Sequence, residues 1–577
     1  MVDEVPTGPD RHAEPGLSDA QTQSATPTKG AKRPGKRAKP GGALFAGLSW
    51  VVAAVCLLPM LAVALAAVTG GTDTISHLIE TVLPRYALTT LALVVLVAIG
   101  TFAVGVGAAW LVVMTRFPGV RFFEIVLVLP LAFPAYVLAY AYTFILDHPG
   151  IVQTTLRDVT GWGPRDYWFP EIRSVPGAAL MLVLVLYPYV YLLARAAFMQ
   201  QSSGAFLAAR ALGNTSWQAF WRVSLPMARP AIASGVLLAV METIADFGTV
   251  AYFGVQTFAT GIYTSWFAMA DRAAAAQLAL VLLCFALMLA VTERATRGKA
   301  RYHQAGKQHA KMPPSDLTGW RAFGAWILCA VPVLLGFLLP VAILFDMGLD
   351  SEQDLLSRRY IGFLKNSLTL AGVAALVTVC AAISIGFFMR LRPGRPSSTA
   401  AYAARLGSAV PGGVIAVGLM VPFAAFDNAL DAWMRATFDV RTGLLITGSI
   451  WLLVAAYMVR FLAAALGASE GGLSTVQSNI DAAARSLGQT PMGMLRRVHL
   501  PILTPSLLTA LLIVFVDVMK ELPATLIMRP FNYDTLAVQA YRLASDERLE
   551  GAAVPSLVIV AVGLLPVILI CRQVGRR

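Results

Sequence analysis

Charge is what this sequence has least of. Of 577 residues, 13% are Asp, Glu, Lys or Arg while 57% are hydrophobic, and the mean hydropathy is +0.68. Soluble domains carry roughly 25% charged residues, so the composition argues against a globular enzyme and for a polytopic membrane protein. Cysteine is scarce too. Cys56, Cys284, Cys329, Cys380 and Cys571 each stand alone in or beside an apolar run. No CxxC or Cys/His ligand spacing exists, so neither a disulfide framework nor a zinc site is indicated, and the thiols read as small apolar fillers. A nucleotide-binding loop is also missing. Gly30-Ala31-Lys32-Arg33-Pro34-Gly35-Lys36-Arg37 nearly matches GxxxxGK[ST], but Arg37 replaces the hydroxyl that would hold magnesium, and no strand precedes it.

What is present is a series of long apolar runs. Residues 1–42, rich in Pro, Gly, Ser, Thr and charge, cannot bury a core and read as a disordered basic tail. The run 44–68 exceeds the 7–15-residue core of a signal peptide, roughly, and suits a spanning helix of about 20 residues. Twelve spans are predicted, over 44–68, 86–114, 124–146, 175–198, 230–253, 276–293, 322–345, 364–389, 402–425, 442–462, 503–528 and 552–571. The expected fold is therefore an all-α polytopic membrane protein. The net charge of +13 invites a nucleic-acid reading. However, Lys and Arg gather in the segments on the N-terminal side of the membrane, which marks that side as cytoplasmic and the charge as topogenic. Both termini are then cytoplasmic. Arg405 and Lys520 fall within spans.

A short polar passage occurs twice, 275 residues apart. Ala208-Ala209-Arg210-Ala211-Leu212-Gly213 leads to Leu225-Pro226, and Ala483-Ala484-Arg485-Ser486-Leu487-Gly488 leads to Leu500-Pro501. Arg222 and Arg497, Val223 and Val498, and Pro230 and Pro505 hold the same separation. Thr90-Leu91 with Ser367-Leu368, and Pro134 with Pro411, extend the match at a slightly larger one. Six spans per half make the repeat parallel, about an axis along the membrane normal. The chain divides into the tail, a first half over 43–297, a basic cytoplasmic linker over 298–320 and a second half over 321–577; the first span of each half matches least well.

Each repeated loop reads as two short helices meeting at a turn. Gly213 and Gly488 sit where a left-handed C-terminal residue is needed. Thr490-Pro491 restarts one copy and Ser216 caps the other; Pro226 and Pro501 then end the second helix. The alanines keep one face smooth for a docking protein. Trp217, Phe220, Trp221, Met492, Met494 and Leu495 offer apolar anchors beside Arg222, Arg496 and Arg497.

This pattern resembles the EAA loop of ATP-binding-cassette importer permeases. The resemblance implies that Ala208, Ala209, Gly213 and Pro226, with Ala483, Ala484, Gly488 and Pro501, belong to two coupling helices that dock on a cytoplasmic ATPase dimer. It departs at the leading glutamate, where Leu207 and Ala482 stand, with Asp481 one residue earlier in the second copy. Two loops in one chain imply a fused dimer of type I permease halves in a bacterial inner membrane. The stretches 515–526, 529–531, 245–249 and 258–263 are similar to the fused ferric-iron permeases; thiamine permeases share the fused plan. The resemblance further implies an extracytoplasmic iron-binding protein as partner. It also implies ATP and magnesium on the partner ATPase, with no cofactor and no enzymatic activity on this chain.

Ionisable groups inside spans are expensive and face a cavity or one another. Glu242 and Asp246 share a helical face; Asp517 and Glu521 are their repeat equivalents, with Lys520 between. Glu242 lies roughly 24 Å of helix beyond Pro226. These five residues form the candidate translocation path, with transient rather than stable ferric-ion contact at Asp246 and Glu521. Oxygen suits a hard cation, and Tyr136, Tyr140 and Tyr142 are further oxygen donors. In the structural alternative, Lys520 pairs with a carboxylate and the others bond within the bundle. An ion-coupled secondary transporter would also use such carboxylates, but gives the twin loops nothing to dock.

Overall fold

A computed structural model describes residues 40–201, 203–298, 315–351, 353–354 and 357–575. The near-match to a nucleotide-binding loop, most of the tail and most of the linker lie outside them. Apolar runs of this length leave the backbone no water to bond, so helix is the only open-ended structure that satisfies it. Eleven helices of the described residues are long and apolar enough to span, and a twelfth span is the broken pair Val120–Ala132 and Ala135–Thr160, bent by 92°. All twelve predicted spans fall on these elements. The helices and the parallel repeat agree with a type I permease plan.

The tenth span runs over Ile450–Thr475 rather than 442–462, and three other spans are bounded differently for a local reason. The ninth span begins at Gly412, and Arg395–Gly407 is a separate helix. Pro411 divides them, because the residue before a proline is pushed out of helical geometry. Arg405 therefore lies outside the span, partly exposed and paired with Glu470. The fifth span stops at Ala245 and the eleventh at Met519, each followed by a break and a new short helix.

The repeat holds at the level of single hydrogen bonds. Thr90 Oγ1 accepts the Phe258 N–H at 3.4 Å, and Ser367 Oγ accepts the Leu536 N–H at 2.8 Å. In both halves a hydroxyl on the second span thus pins the start of a short helix, Phe258–Tyr263 or Leu536–Ser545. Pro134 and Pro411 precede equivalent helices, Ala135–Leu146 and Gly412–Phe438.

The two halves exchange their first helices. Ala43–Thr69 packs on the second half, with Phe45 edge-on to Phe387 at 4.9 Å and the Pro59 carbonyl against Gly418, where a Cβ would collide. Gly319–Leu349 packs on the first half: Trp326 meets Phe123 at 5.7 Å, and the Tyr142 hydroxyl donates to the Leu335 carbonyl at 2.7 Å. The linker's return is fixed by a parallel pairing of Thr115–Arg116 with Ser315–Asp316.

Candidate functional site

The two loops fold as copies. Helices Ser203–Ala211 and Ser478–Ser486 each close with the same backbone bonds: Asn214 N–H to the Ala209 carbonyl at 3.2 Å, and Gln489 N–H to the Ala484 carbonyl at 3.1 Å. Gly213 and Gly488 take φ of +86° and +75°, the left-handed geometry that glycine adopts without steric penalty. Ala208 and Ala483 face outward while Ala209 and Ala484 are buried. Leu212 and Leu487, which the sequence reading left out of its anchors, are 83% and 80% exposed. Their identical register in the repeat was the signal available.

Restart and exit differ from expectation. Thr215, not Ser216, caps the first copy, in a reciprocal capping box with Gln218; Thr490 caps the second. Pro226 and Pro501 do not end a helix. The helix runs on into the membrane over Ser216–Ala245 and Pro491–Met519, with a π turn just before each proline, Phe220–Ser224 and Leu495–His499. Proline has no N–H and its ring crowds the carbonyl four residues back; the wider π turn relieves that crowding.

The loops are anchored by different chemistry. In the first, buried Phe206 and Phe220 pack on Trp110, whose ring lies 4.2 Å from that of Phe220, leaving Trp217 and Trp221 exposed. In the second, Asp481 sits at the position of Phe206. Its carboxylate takes the Arg390 Nε–H at 2.7 Å and stands 3.0 Å from His499 Nε2, while Arg390 also donates to the carbonyls of Leu473 and Val476. Met494 and Leu495 are buried. Asp481 is thus committed within the chain.

The charged residues of the spans converge where the halves meet. Asp246 ends the fifth span, and its carboxylate accepts the Thr249 N–H and hydroxyl at 3.1 Å and the Val250 N–H at 3.2 Å. Glu521 repeats this for the eleventh, accepting the Ala524 and Thr525 N–H groups at 2.9 and 3.0 Å and the Thr525 hydroxyl at 2.6 Å. A helix restarting inside a membrane exposes N–H groups that no water satisfies; a carboxylate there answers both the hydrogen bonds and the helix dipole. Asp517 pairs with Lys520 at 3.0 Å. The side chain of Glu521 is 2% exposed and that of Glu242 51%.

One residue of this site was missed. Arg460, on Ile450–Thr475, stands 3.7 Å from Glu521 and 3.9 Å from Glu242 of the other half. Its place near a predicted span end disguised it as a topogenic charge. Tyr189 lies within electrostatic reach of Arg460, Glu242 and Asp517. The three tyrosines of the third span are packed instead: Tyr136, Tyr140 and Tyr142 are buried, and Tyr136 is wedged against Gly248. Among the described residues no group of three or more His, Cys, Asp or Glu is placed to hold a metal ion.

Residues 101–296 and again 379–577 match the family of binding-protein-dependent transport system inner membrane components. The chain belongs to that family. This ABC permease therefore carries its domain twice, as the two loops and the paired carboxylates require. It is similar to the Fe(3+)-transport system permease protein FbpB 2 of Haemophilus influenzae, 26% identical over 530 residues, covering 89% of this chain and 95% of the relative. The ferric transport system permease protein FbpB of Actinobacillus pleuropneumoniae is 24% identical over 77% of this chain and 64% of its own length. A putative 2-aminoethylphosphonate transport system permease protein, PhnV of Salmonella typhimurium, matches at 26% over 42% of this permease and 90% of its own length. Permeases of this family serve binding-protein-dependent transport across the inner membrane.

Proposed function

We propose that this permease is the membrane subunit of an ATP-driven ferric iron importer, fed by an extracytoplasmic iron-binding protein and powered by a separate cytoplasmic ATPase dimer. The observation that carries the reading is the near full-length likeness to a fused Fe(3+) permease. The basic segments on the side of both termini support a cytoplasmic orientation for the two loops. Ala208, Ala209, Gly213 and Pro226, with Ala483, Ala484, Gly488 and Pro501, then form two coupling elements, and exposed Leu212 and Leu487 enter the ATPase surface. ATP and magnesium stay on that partner, and this chain binds no cofactor.

Glu242, Asp246, Asp517, Lys520 and Glu521 line the passage between the halves. Oxygen ligands suit a hard cation. The half-exposed carboxylate of Glu242 and that of Asp517 meet it first, because Asp246 and Glu521 also cap the restarting helices. The test is ATP-dependent uptake of radiolabelled ferric iron into proteoliposomes holding the permease, its ATPase and its binding protein, with thiamine in parallel. Iron uptake abolished by Gly213→Val with Gly488→Val supports both cargo and loops. Thiamine uptake instead keeps the architecture and overturns iron; uptake driven by a proton gradient without ATP overturns the importer.

A further inference from the structure

Arg460 is a cation that the repeat does not require. Spans Val175–Gln200 and Ile450–Thr475 correspond residue for residue, and Val185 occupies its place in the first half. A guanidinium only 15% exposed, retained in one half of a duplicated bundle, has a task that the shared fold does not set. Its setting shows which. At 3.7 and 3.9 Å from Glu521 and Glu242, it attracts both carboxylates but is too distant to hydrogen-bond to either. Its Nη1 is buried and makes no hydrogen bond. The nearest oxygen, Glu521 Oε1, already accepts the Ala524 N–H. At Nη1, then, charge and not a hydrogen bond holds Arg460, whose guanidinium also lies 5.7 Å from the centre of the Phe461 ring, so a stronger cation can move it without breaking a hydrogen bond at that nitrogen.

The surroundings make room for it. A Cβ at Gly412 would fall on the Arg460 guanidinium and within 2.8 Å of Glu521 Oε1. Four carboxylates face this region, Glu242, Asp246, Asp517 and Glu521, and Lys520 is spent on Asp517. Arg460 is the remaining balancing cation among the described residues.

We propose that Arg460 is a tethered stand-in for the cargo: its guanidinium holds the place between Glu242 and Glu521 that a multivalent cation takes in passage, and so sets the charge a cargo must carry. Coulomb attraction scales with the product of charges, so a monovalent ion does not displace a resident guanidinium that a trivalent ion does. The proposal rests on the cation-importer reading but is tested without iron.

The probe is terbium(III), a trivalent, oxygen-preferring ion whose luminescence is sensitised by nearby tyrosine, added to the purified full-length permease. Arg460→Gln is expected to bind it several-fold more tightly than wild type, and Arg460→Gln with Glu242→Gln to lose that gain. Gly412→Ala, which displaces the guanidinium and keeps every charge, is expected to act in the same direction. Arg460→Lys is expected to stay near wild type. Equal terbium affinity in wild type, Arg460→Gln and Gly412→Ala overturns the proposal, and Gly412→Ala decides it if Arg460→Gln does not fold. Enhanced binding in a protein that takes up no ferric iron leaves the proposal standing and removes the iron assignment.

Discussion

Asp246 and Glu521 do one job in opposite halves: each accepts the N–H groups three and four residues ahead, where a membrane span breaks and a short helix restarts. Removing an acceptor of this kind costs about 1–2 kcal/mol. Asp246→Ala is therefore expected to lower the thermal midpoint of the purified permease. Glu521→Ala should lower it further, since it also strips the Thr525 hydroxyl of its acceptor and leaves Arg460 with a single carboxylate. Glu521→Gln, which still accepts, should fall between. A Glu521→Ala protein that melts with wild type would refute the capping role.

Gly213 and Gly488 have positive φ and open space around them, with nothing within 4 Å of a Cβ. Alanine there meets only backbone strain, roughly 1–2 kcal/mol, confined to the loops. Membrane insertion and thermal midpoint should barely move, whereas ATPase stimulation by the binding protein should drop in each single variant and more in the double. Unchanged stimulation in the double variant would show that the loops do not depend on these turns.

The ion pair Arg390–Asp481 is shielded, with side chains 16% and 10% exposed. Breaking such a pair from one side strands the other charge, at a cost of about 3–5 kcal/mol for a fully buried pair and less here. Asp481→Asn should speed amide hydrogen exchange across Ser478–Ser486 and leave Ser203–Ala211 as it was. Phe206→Ala should do the reverse. Equal loosening of both loops by either variant would contradict separate anchoring.

On the opposite face, Arg173 of the first half grips Glu547 of the second through two bonds of 2.8 and 3.0 Å, and also takes Asp147 at 3.0 Å. Glu547 raises the ionisation of Arg173 above its ordinary value, so the guanidinium stays charged throughout the working pH range. The pair is exposed enough to contribute roughly 0.2–1 kcal/mol to stability. It links the two halves directly. Glu547→Arg should lower uptake with little change in melting, and adding Arg173→Glu should restore much of it; failure of the double reversal would assign Arg173 to Asp147 instead.

Much of the architecture was legible because its causes are local. Apolar length decides that a segment spans, so twelve runs fall on twelve spans. Glycine at a left-handed position and threonine before Pro491 depend on a few neighbouring atoms, so the loop turns were legible too. Thr215 was overlooked because both it and Ser216 can cap, and Gln218 decides between them through its return bond to the Thr215 N–H. Pro226 and Pro501 were read as stops because a proline's effect depends on the turn before it.

Hydropathy, local stereochemistry and internal repetition suffice to read the membrane class, the two halves, the paired loops and the equivalence of Asp246 with Glu521 from the chain alone. Tertiary structure decided which residues far apart in the chain meet. It sent each first helix to the opposite half, gave one loop an aromatic anchor and the other an ionic one, and carried Arg460 to Glu242. Such contacts depend on how rigid helices cross, and helix crossing is set by packing over whole faces rather than by any stretch of sequence.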